Sequence, residues 1–305
     1  MPLIRWLLNV GPLWNTPDEF TQALNYLPPP THQNILNYVR PADRKLALAS
    51  QLLQHLIVSK HRNIPFSHVT IVKNFGGIRG GRPVFVGDRA AGIQGLEYNV
   101  SHHGTVVAIT SRLEAPVESG GKEDKGGGIG VDVLQYEKRP GYVDGNLGAV
   151  MEWVDGFEVG EVFTKGEMNG ARGAVVRGNG GEGKMREVVK AVHLNWTLKE
   201  AYVKAVGTGL VTDLTAVDFE VDGVCEVVDR GERSRGVKVW LGKGAGRRRG
   251  DEWYFEVERV QVGEGVEGSY CVAMATQAEG LGEEDKNGVW QWLNYEADMV
   301  PFIRS

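Results

Sequence analysis

Apolar residues recur at helical spacing in two long stretches of the chain. In residues 42–61 they include Leu46 and Leu53, which share one side of a helix with 3.6 residues per turn, so the pattern predicts an amphipathic helix. A second helix is predicted from about residue 187 to residue 206. It should end at Gly207, because glycine readily adopts the left-handed conformation of a helix cap.

Runs rich in β-branched and aromatic residues predict strands elsewhere. They lie at residues 3–10, 68–77, 84–87, 128–133, 213–223, 236–242, 251–260 and 269–277. Residues 98–110 predict a turn followed by a buried strand, and short helices are expected near residues 19–26 and 150–153. The strands after the second helix would supply the sheet against which it packs.

Two glycine-rich segments interrupt this pattern. Residues 114–128 are rich in Gly, Glu, Lys and Ser, a composition typical of flexible loops, and we place the boundary between two subdomains there, at 1–118 and 119–305. Residues 141–187 are also rich in glycine and charge, and residues 178–183 are expected to be mobile. The tail with Trp290 and Trp292 could dock on the core or on a partner.

Composition narrows the class of protein. The chain has 305 residues, 42 % of them apolar, which is enough for a substantial core. A net charge of −5 argues against a nucleic-acid or membrane-surface binder. No apolar run reaches the length of a membrane span, and the N-terminus lacks a signal-peptide pattern. Only two cysteines are present, without metal-ligand spacing, so we expect reduced thiols and a cytoplasmic protein.

The second helix carries polar residues that its packing does not need. Glu200 and Lys204 lie opposite the apolar stripe of Leu198, Ala201 and Ala205. They could form an ordinary surface ion pair between residues i and i+4. Functional use is the alternative, and the polar residues upstream make that alternative worth testing.

Asp132 lies inside a predicted strand, where aspartate is uncommon. It could cap a turn or bind a metal ion. Mg²⁺ prefers oxygen ligands and often combines one or two carboxylates with phosphate oxygens. Asp132 and Glu200, with His102, Arg82 and Lys204, would therefore suit a Mg²⁺–diphosphate site.

Other residues could contact an anion. Arg82 and Pro83 follow two glycines in a tight turn, and Arg44 lies near the start of the first long helix. Each has an ordinary alternative, as a simple turn or a solvated charge. Asn99, Ser101, His102 and His103 form a dense polar cluster before a strand, which suggests a ligand-binding edge.

Four motifs together resemble those of the Sfp-type 4'-phosphopantetheinyl transferases, in that family's order. They are GRP at 81–83, NVSHH at 99–103, GIGVDV at 128–133 and WTLKEAYVKAVGTGL at 196–210. The glycine-rich insertions resemble those of fungal members. The resemblance implies an α+β fold, with a pseudo-twofold pair of similar subdomains and the active site at their interface. A monomer is the simplest expectation for such a chain.

The resemblance also implies roles for the candidate residues. Asp132 and Glu200 would bind Mg²⁺ on the diphosphate of coenzyme A, and Glu200, Lys204 and His102 would be catalytic. The coenzyme A contacts would be Lys73, Arg82, Pro83, Asn99, Ser101, His102, Lys204 and Arg44. Bacterial members often have a second acidic residue two positions after the aspartate. Leu134 stands there in this chain, which leaves water or His103 to complete the metal shell.

The reaction implied is attack of a carrier-protein serine on the β-phosphorus of coenzyme A, releasing adenosine 3',5'-bisphosphate. The acceptors would be carrier domains of fatty-acid, polyketide and non-ribosomal peptide synthases and of aminoadipate reductase. Basic residues could dock an acidic carrier helix, and the candidates are Arg172, Arg177, Lys184, Arg186 and Lys190. A metal-dependent hydrolase and a catalytically inactive module that binds coenzyme A or carrier protein remain as alternatives.

Overall fold

The computed structural model describes residues 3–74, 82–86, 95–113, 128–221, 223–263 and 268–304. The α-helices among these residues are α1 (Pro17–Leu24), α2 (Pro29–Leu36), α3 (Pro41–Arg62), α4 (Leu147–Val159), α5 (Lys165–Gly173), α6 (Gly180–Val206), α7 (Val224–Asp229), α8 (Glu283–Asn287) and α9 (Val300–Ile303). The strands among them are β1 (Ile4–Asn9), β2 (Ile71–Asn74), β3 (Arg82–Phe85), β4 (Leu96–His103), β5 (Val106–Leu113), β6 (Ile129–Gln135), β7 (Val217–Glu220), β8 (Ser234–Arg235), β9 (Lys238–Leu241), β10 (Arg248–Arg249), β11 (Trp253–Gln261), β12 (Ser269–Gln277) and β13 (Gln291–Trp292). Helices combined with mainly antiparallel strand pairs confirm the predicted α+β class.

The chain divides into two compact units. Unit 1 comprises Met1–Val131, Ala205–Gly207 and Gly280–Ser305, and unit 2 comprises Asp132–Lys204 and Thr208–Glu279. The subdomain boundary predicted at residue 118 lies outside the described residues. The sequence-based division assigned residues 280–305 to the C-terminal subdomain, whereas here they group with unit 1 because β13 pairs with β1. The twofold relation implied by the family resemblance stays a prediction.

Unit 1 is built on a sheet with the strand order β13-β1-β5-β4. Helix α3 covers one face of this sheet and buries Leu48, Leu52 and Leu53 completely. It begins at Pro41, where proline suits the first helical turn because the N–H that it lacks would be unbonded anyway. In the tail Trp290 is buried, so this part of the chain docks on its own core.

The Asn-Val-Ser-His-His segment is itself part of a strand, so the turn predicted there is wrong. Strand β4 pairs with β5 along its whole length, and the hairpin turns at Gly104, which has a φ of 59°. Leu96 and Tyr98 alternate with polar residues and join the core beneath α3. A strand can carry this dense polar cluster because alternate side chains point to opposite faces.

Unit 2 contains a sheet of order β6-β12-β11-β8 and a smaller one of order β10-β9-β7. Helix α6 has 27 residues and ends at Val206, as predicted, next to Gly207 with a φ of 78°. It begins at Gly180, earlier than the predicted start, so most of the glycine-rich segment expected to be mobile is helical. Burial of Val188 and Val192 stabilises the helix despite the low helix propensity of glycine. None of the described helices is both long and apolar enough to span a membrane.

Candidate active site

Three of the predicted site residues lie together in unit 2. Asp132 projects from β6, and Glu200 and Lys204 lie on the last turns of α6. The Nζ atom of Lys204 is 2.6 Å from Oδ1 of Asp132, which is the distance of a charge-assisted hydrogen bond. Lys204 therefore reaches from the helix to the strand, beyond the simple pairing with Glu200 that the helical spacing suggested.

Glu200 has an electrostatically unfavourable position for a carboxylate. Burial raises the pKa of its carboxyl group above the usual range, and the neighbouring Asp132 carboxylate raises it further, while Lys204 opposes the shift. Two neighbouring carboxylates with one ammonium group leave an excess of negative charge. A bound divalent cation would relieve that excess, so the donor set fits Mg²⁺.

The number of protein ligands available to such a cation is small. Within the described parts of the chain, no group of three or more His, Cys, Asp or Glu side chains is arranged to hold a metal ion. The hypothesis that His103 supplies a third protein ligand therefore gains no support. Mg²⁺ usually keeps several water ligands and binds through one or two carboxylates, so Asp132 and Glu200 alone are a sufficient protein contribution.

His102 lies in unit 1 beside a cavity of about 680 Å³. Val100 and His102 share one face of β4, and both line this cavity together with Asn34, Asn37, Tyr38 and Ser50. Ser50 is buried on α3, and its Oγ atom has no hydrogen-bond partner among the described residues. The cavity thus offers hydroxyl and amide groups to a polar ligand. Of the residues that line it, the sequence had indicated only His102 as a ligand contact.

Asn99 and Ser101 lie on the opposite face of β4 from His102, because side chains alternate along a strand. Both are buried, and neither lines the cavity beside His102. The Oδ1 atom of Asn99 accepts a hydrogen bond of 3.0 Å from the backbone N–H of Val131. The coenzyme A contacts that the family resemblance implies for Asn99 and Ser101 stay a prediction.

The remaining predicted anion contacts lie elsewhere in unit 1. Arg44 donates a hydrogen bond of 2.7 Å from Nε to the carbonyl oxygen of Tyr38, at the edge of the cavity. Lys73 pairs with Pro83 in the antiparallel β2–β3 ladder, next to Arg82. The side chains of Lys73 and Arg82 lie outside the described part of the chain.

Comparison with known proteins finds similarity to one family of transferases. Residues 13–114 match a family model described as "4'-phosphopantetheinyl transferase, N-terminal". The chain is 26 % identical to 4'-phosphopantetheinyl transferase NpgA of Emericella nidulans, over 94 % of this chain and 85 % of that protein. The chain is thus similar to 4'-phosphopantetheinyl transferases, over its N-terminal part by the family model and over most of its length by this relative.

Two further phosphopantetheinyl transferases match over similar lengths. Identity to 4'-phosphopantetheinyl transferase 1 of Fusarium mangiferae is 27 %, covering 78 % of this chain and 82 % of the relative. Identity to the human L-aminoadipate-semialdehyde dehydrogenase-phosphopantetheinyl transferase is 22 %, covering 84 % of this chain and 71 % of the relative. The fungal character expected from the glycine-rich insertions agrees with the first two relatives.

Unit 2 also contains a buried ion pair that sequence reasoning missed. Lys199 precedes Glu200 but faces the interior, where its Nζ atom is 2.9 Å from Oε2 of Glu167 and 2.8 Å from the carbonyl oxygen of Leu214. Its side chain is 1 % exposed. Glu167 also accepts a hydrogen bond from the backbone of Thr164 at the start of α5. The sequence contained a signal for the position of Glu167 only. Residues 164–167 read Thr-x-x-Glu, which is typical of a helix capping box.

Proposed function

We propose that this protein transfers the 4'-phosphopantetheine group of coenzyme A to a serine of apo acyl or peptidyl carrier proteins. The observation that carries this proposal is the grouping of Asp132, Glu200 and Lys204 in a chain that is similar to 4'-phosphopantetheinyl transferases. Several relatives are named for L-aminoadipate-semialdehyde dehydrogenase. We therefore include the carrier domain of aminoadipate reductase among the acceptors, beside those of fatty-acid, polyketide and non-ribosomal peptide synthases.

Asp132 and Glu200 would hold Mg²⁺, which when bound neutralises charge on the coenzyme A diphosphate. The Lys204 ammonium group lies against Asp132 and adds a fixed positive charge at the same place. Positioning and charge neutralisation dominate catalysis of phosphoryl-type transfers. This group of charges in unit 2 is thus suited to stabilising a transition state rich in negative charge.

In the proposed reaction the serine Oγ atom attacks the β-phosphorus of coenzyme A. A new Oγ–P bond forms, and the bond from that phosphorus to the bridging oxygen breaks. The bridging oxygen and its electron pair leave with adenosine 3',5'-bisphosphate. Glu200 accepts the serine proton, directly or through one water, while Lys204 and His102 stabilise the leaving phosphate.

The family resemblance implies further coenzyme A contacts by residues of unit 1. The cavity beside His102 would accommodate part of this ligand, and the Ser50 hydroxyl group would gain the hydrogen-bond partner that it lacks among the described residues. Lys73 and Arg82 would meet nucleotide phosphates. Contacts from Pro83 and Ser101 are proposed on the family resemblance, and a contact from Arg44 is proposed on its position near the start of α3.

The pH dependence of the rate should reflect the raised pKa of Glu200. The carboxyl group acts only when deprotonated, so we expect the rate to fall on acidification at a pH above the usual glutamate range. Protons and Mg²⁺ compete for the same oxygens, so raising Mg²⁺ should move this acid limb to lower pH. Measuring kcat/KM for coenzyme A against pH at two Mg²⁺ concentrations tests this, and an acid limb that ignores Mg²⁺ would contradict it.

Product release distinguishes the transferase from a hydrolase. Adenosine 3',5'-bisphosphate should be released from coenzyme A only when an apo carrier protein is present, at one molecule per carrier serine. Chromatographic quantification with and without carrier measures this directly. Release at the same rate without carrier would identify a hydrolase, and binding of coenzyme A without release would identify an inactive module.

The basic residues predicted to dock the carrier differ in how far acidic neighbours neutralise them. Arg172 lies between Asp155 and Glu158, at 2.6 and 2.7 Å. Lys190 is buried, and its Nζ atom is 2.6 Å from carboxylates of both Glu187 and Asp229. Lys184 and Arg186 are exposed on α6. The ion pair of Arg186 with Glu137 is long, with 4.0 Å between Nε and Oε2. We therefore propose that docking depends mainly on these two residues.

Reversing both charges, as Lys184→Glu with Arg186→Glu, should raise the KM for carrier protein several-fold and leave the KM for coenzyme A unchanged. Steady-state kinetics with each substrate varied in turn measures the two values. Arg172→Glu is the control, because its charge is already compensated, and it should alter the carrier KM less. An increase confined to the KM for coenzyme A would contradict the docking assignment.

We further propose that the protein works as a cytoplasmic monomer. Cys225 and Cys271 are both free and buried, which suits a reducing compartment.

A further inference from the structure

The beginning of strand β6 is fixed by a side chain. Strand β6 stands at the end of its sheet order among the described residues, an edge position at which a side chain can bond the backbone. The N–H of Val131 donates instead to Oδ1 of Asn99, at 3.0 Å and in a buried position. An amide side chain thus bonds the backbone of this strand at the residue directly before Asp132.

A second bond fixes the chain just upstream. The N–H of Gly128 donates to the carbonyl oxygen of Ala205, at 3.1 Å. Ala205 follows Lys204, whose ammonium group bonds Asp132. One bond therefore holds Val131, the residue before Asp132, and the other holds Ala205, the residue after Lys204.

The direction of the Asp132 side chain depends on this backbone. Side chains of a strand point where the local backbone directs them, so a rotation at Val131 would turn the next side chain away. Asp132 is buried, which leaves its carboxylate little freedom to compensate by changing rotamer. Loss of the Asn99 acceptor would also leave the Val131 N–H buried without a partner, which favours local rearrangement.

We infer that Asn99 is a positioning residue for the metal-binding Asp132 and acts through the Val131 N–H. It is therefore distinct from the direct coenzyme A ligand that the family resemblance implies. This inference rests on the proposed function, in which Asp132 holds a divalent cation. Groups that orient metal ligands typically affect metal affinity by about 10- to 100-fold when removed.

Asn99→Ala tests the inference with three measurements on the full chain. Hydrogen exchange of the Val131 amide should become faster, because its acceptor is gone. The Kd for Mn²⁺ alone, measured by electron paramagnetic resonance, should rise by about 10-fold or more. The Kd for coenzyme A should stay within about twofold of the unmodified protein when excess EDTA removes the metal. The bond to Val131 is expected to act on coenzyme A only through the metal that Asp132 holds.

Two further variants keep the result interpretable. Thr110 lies opposite Asn99 on β5, and its hydroxyl group donates a partly buried hydrogen bond of 2.8 Å to the carbonyl oxygen of Ile4. Thr110→Val therefore removes one hydrogen bond from the same sheet, and it should leave Mn²⁺ affinity unchanged. Asn99→Asp retains an acceptor oxygen and should preserve protection of the Val131 amide.

Three outcomes would overturn the inference. A larger loss of coenzyme A affinity in EDTA than of Mn²⁺ affinity would make Asn99 a direct ligand. Unchanged Mn²⁺ affinity in Asn99→Ala would show that the bond does not position Asp132. Absence of Mn²⁺ binding by the unmodified protein would instead remove the metal site of the proposed function, and this inference with it.

Discussion

Glu200→Gln should reduce kcat by about 10²- to 10⁴-fold, the range typical of losing a general base. The amide cannot accept the serine proton, and it is a poorer ligand for Mg²⁺ than a carboxylate. The substitution keeps the size of the side chain, so the half-buried site should stay folded. Single-turnover transfer to an apo carrier at saturating Mg²⁺ and coenzyme A measures the effect on chemistry.

A matched control comes from the same unit. Glu226 is an exposed glutamate on α7, and Glu226→Gln should leave kcat within about twofold of the unmodified enzyme, as expected for a surface substitution. A fall in kcat of less than 10-fold for Glu200→Gln would mean that Glu200 is neither the base nor an essential ligand. Water or another residue would then accept the proton.

Lys199→Met should lower the free energy of unfolding by about 3–5 kcal/mol, the usual loss when one partner of a buried ion pair is removed. Glu167 would be left with a buried carboxylate whose partner at 2.9 Å is gone. Burial already lowers the pKa of Lys199 and raises that of Glu167, although each partner opposes the shift in the other. Urea unfolding monitored by tryptophan fluorescence measures the change.

The double variant separates the pair from its packing. Lys199→Met combined with Glu167→Met removes both charges and should recover part of the lost stability. Lys238→Met is the control, because its pair with Glu220 is exposed at 2.9 Å and should contribute little. Equal effects of Lys199→Met and Lys238→Met would show that the buried pair has no special role.

Lys199 also shows why the sequence predicted only part of the site. The helical pattern correctly separated Glu200 and Lys204 from the apolar stripe and placed the helix end at Val206. It could not show that Lys199 meets a carboxylate on another helix, because Glu167 is 32 residues away and no periodic pattern links the two. Pairing over such distances is decided by tertiary packing.

Strand β4 illustrates the same limit within one motif. The residues NVSHH were recognised as a unit, yet pairing with β5 sends Asn99 and His102 to opposite faces. In a predicted turn the side chains do not alternate between two faces. The turn prediction therefore could not separate His102, beside the cavity, from Asn99, which is bonded to Val131. The chemistry of the motif was predictable from residue types, whereas the direction of each side chain required the strand.

The measurement that tests the proposed transferase most directly is intact-mass spectrometry of an apo carrier protein incubated with this protein, coenzyme A and Mg²⁺. We predict one phosphopantetheine adduct on the carrier, located on a serine by fragmentation, and its loss with Glu200→Gln or Asp132→Asn. Acyl, peptidyl and aminoadipate-reductase carriers should each be tried. An unmodified mass for every one of these carriers, from folded protein that still binds coenzyme A, would contradict the proposed function.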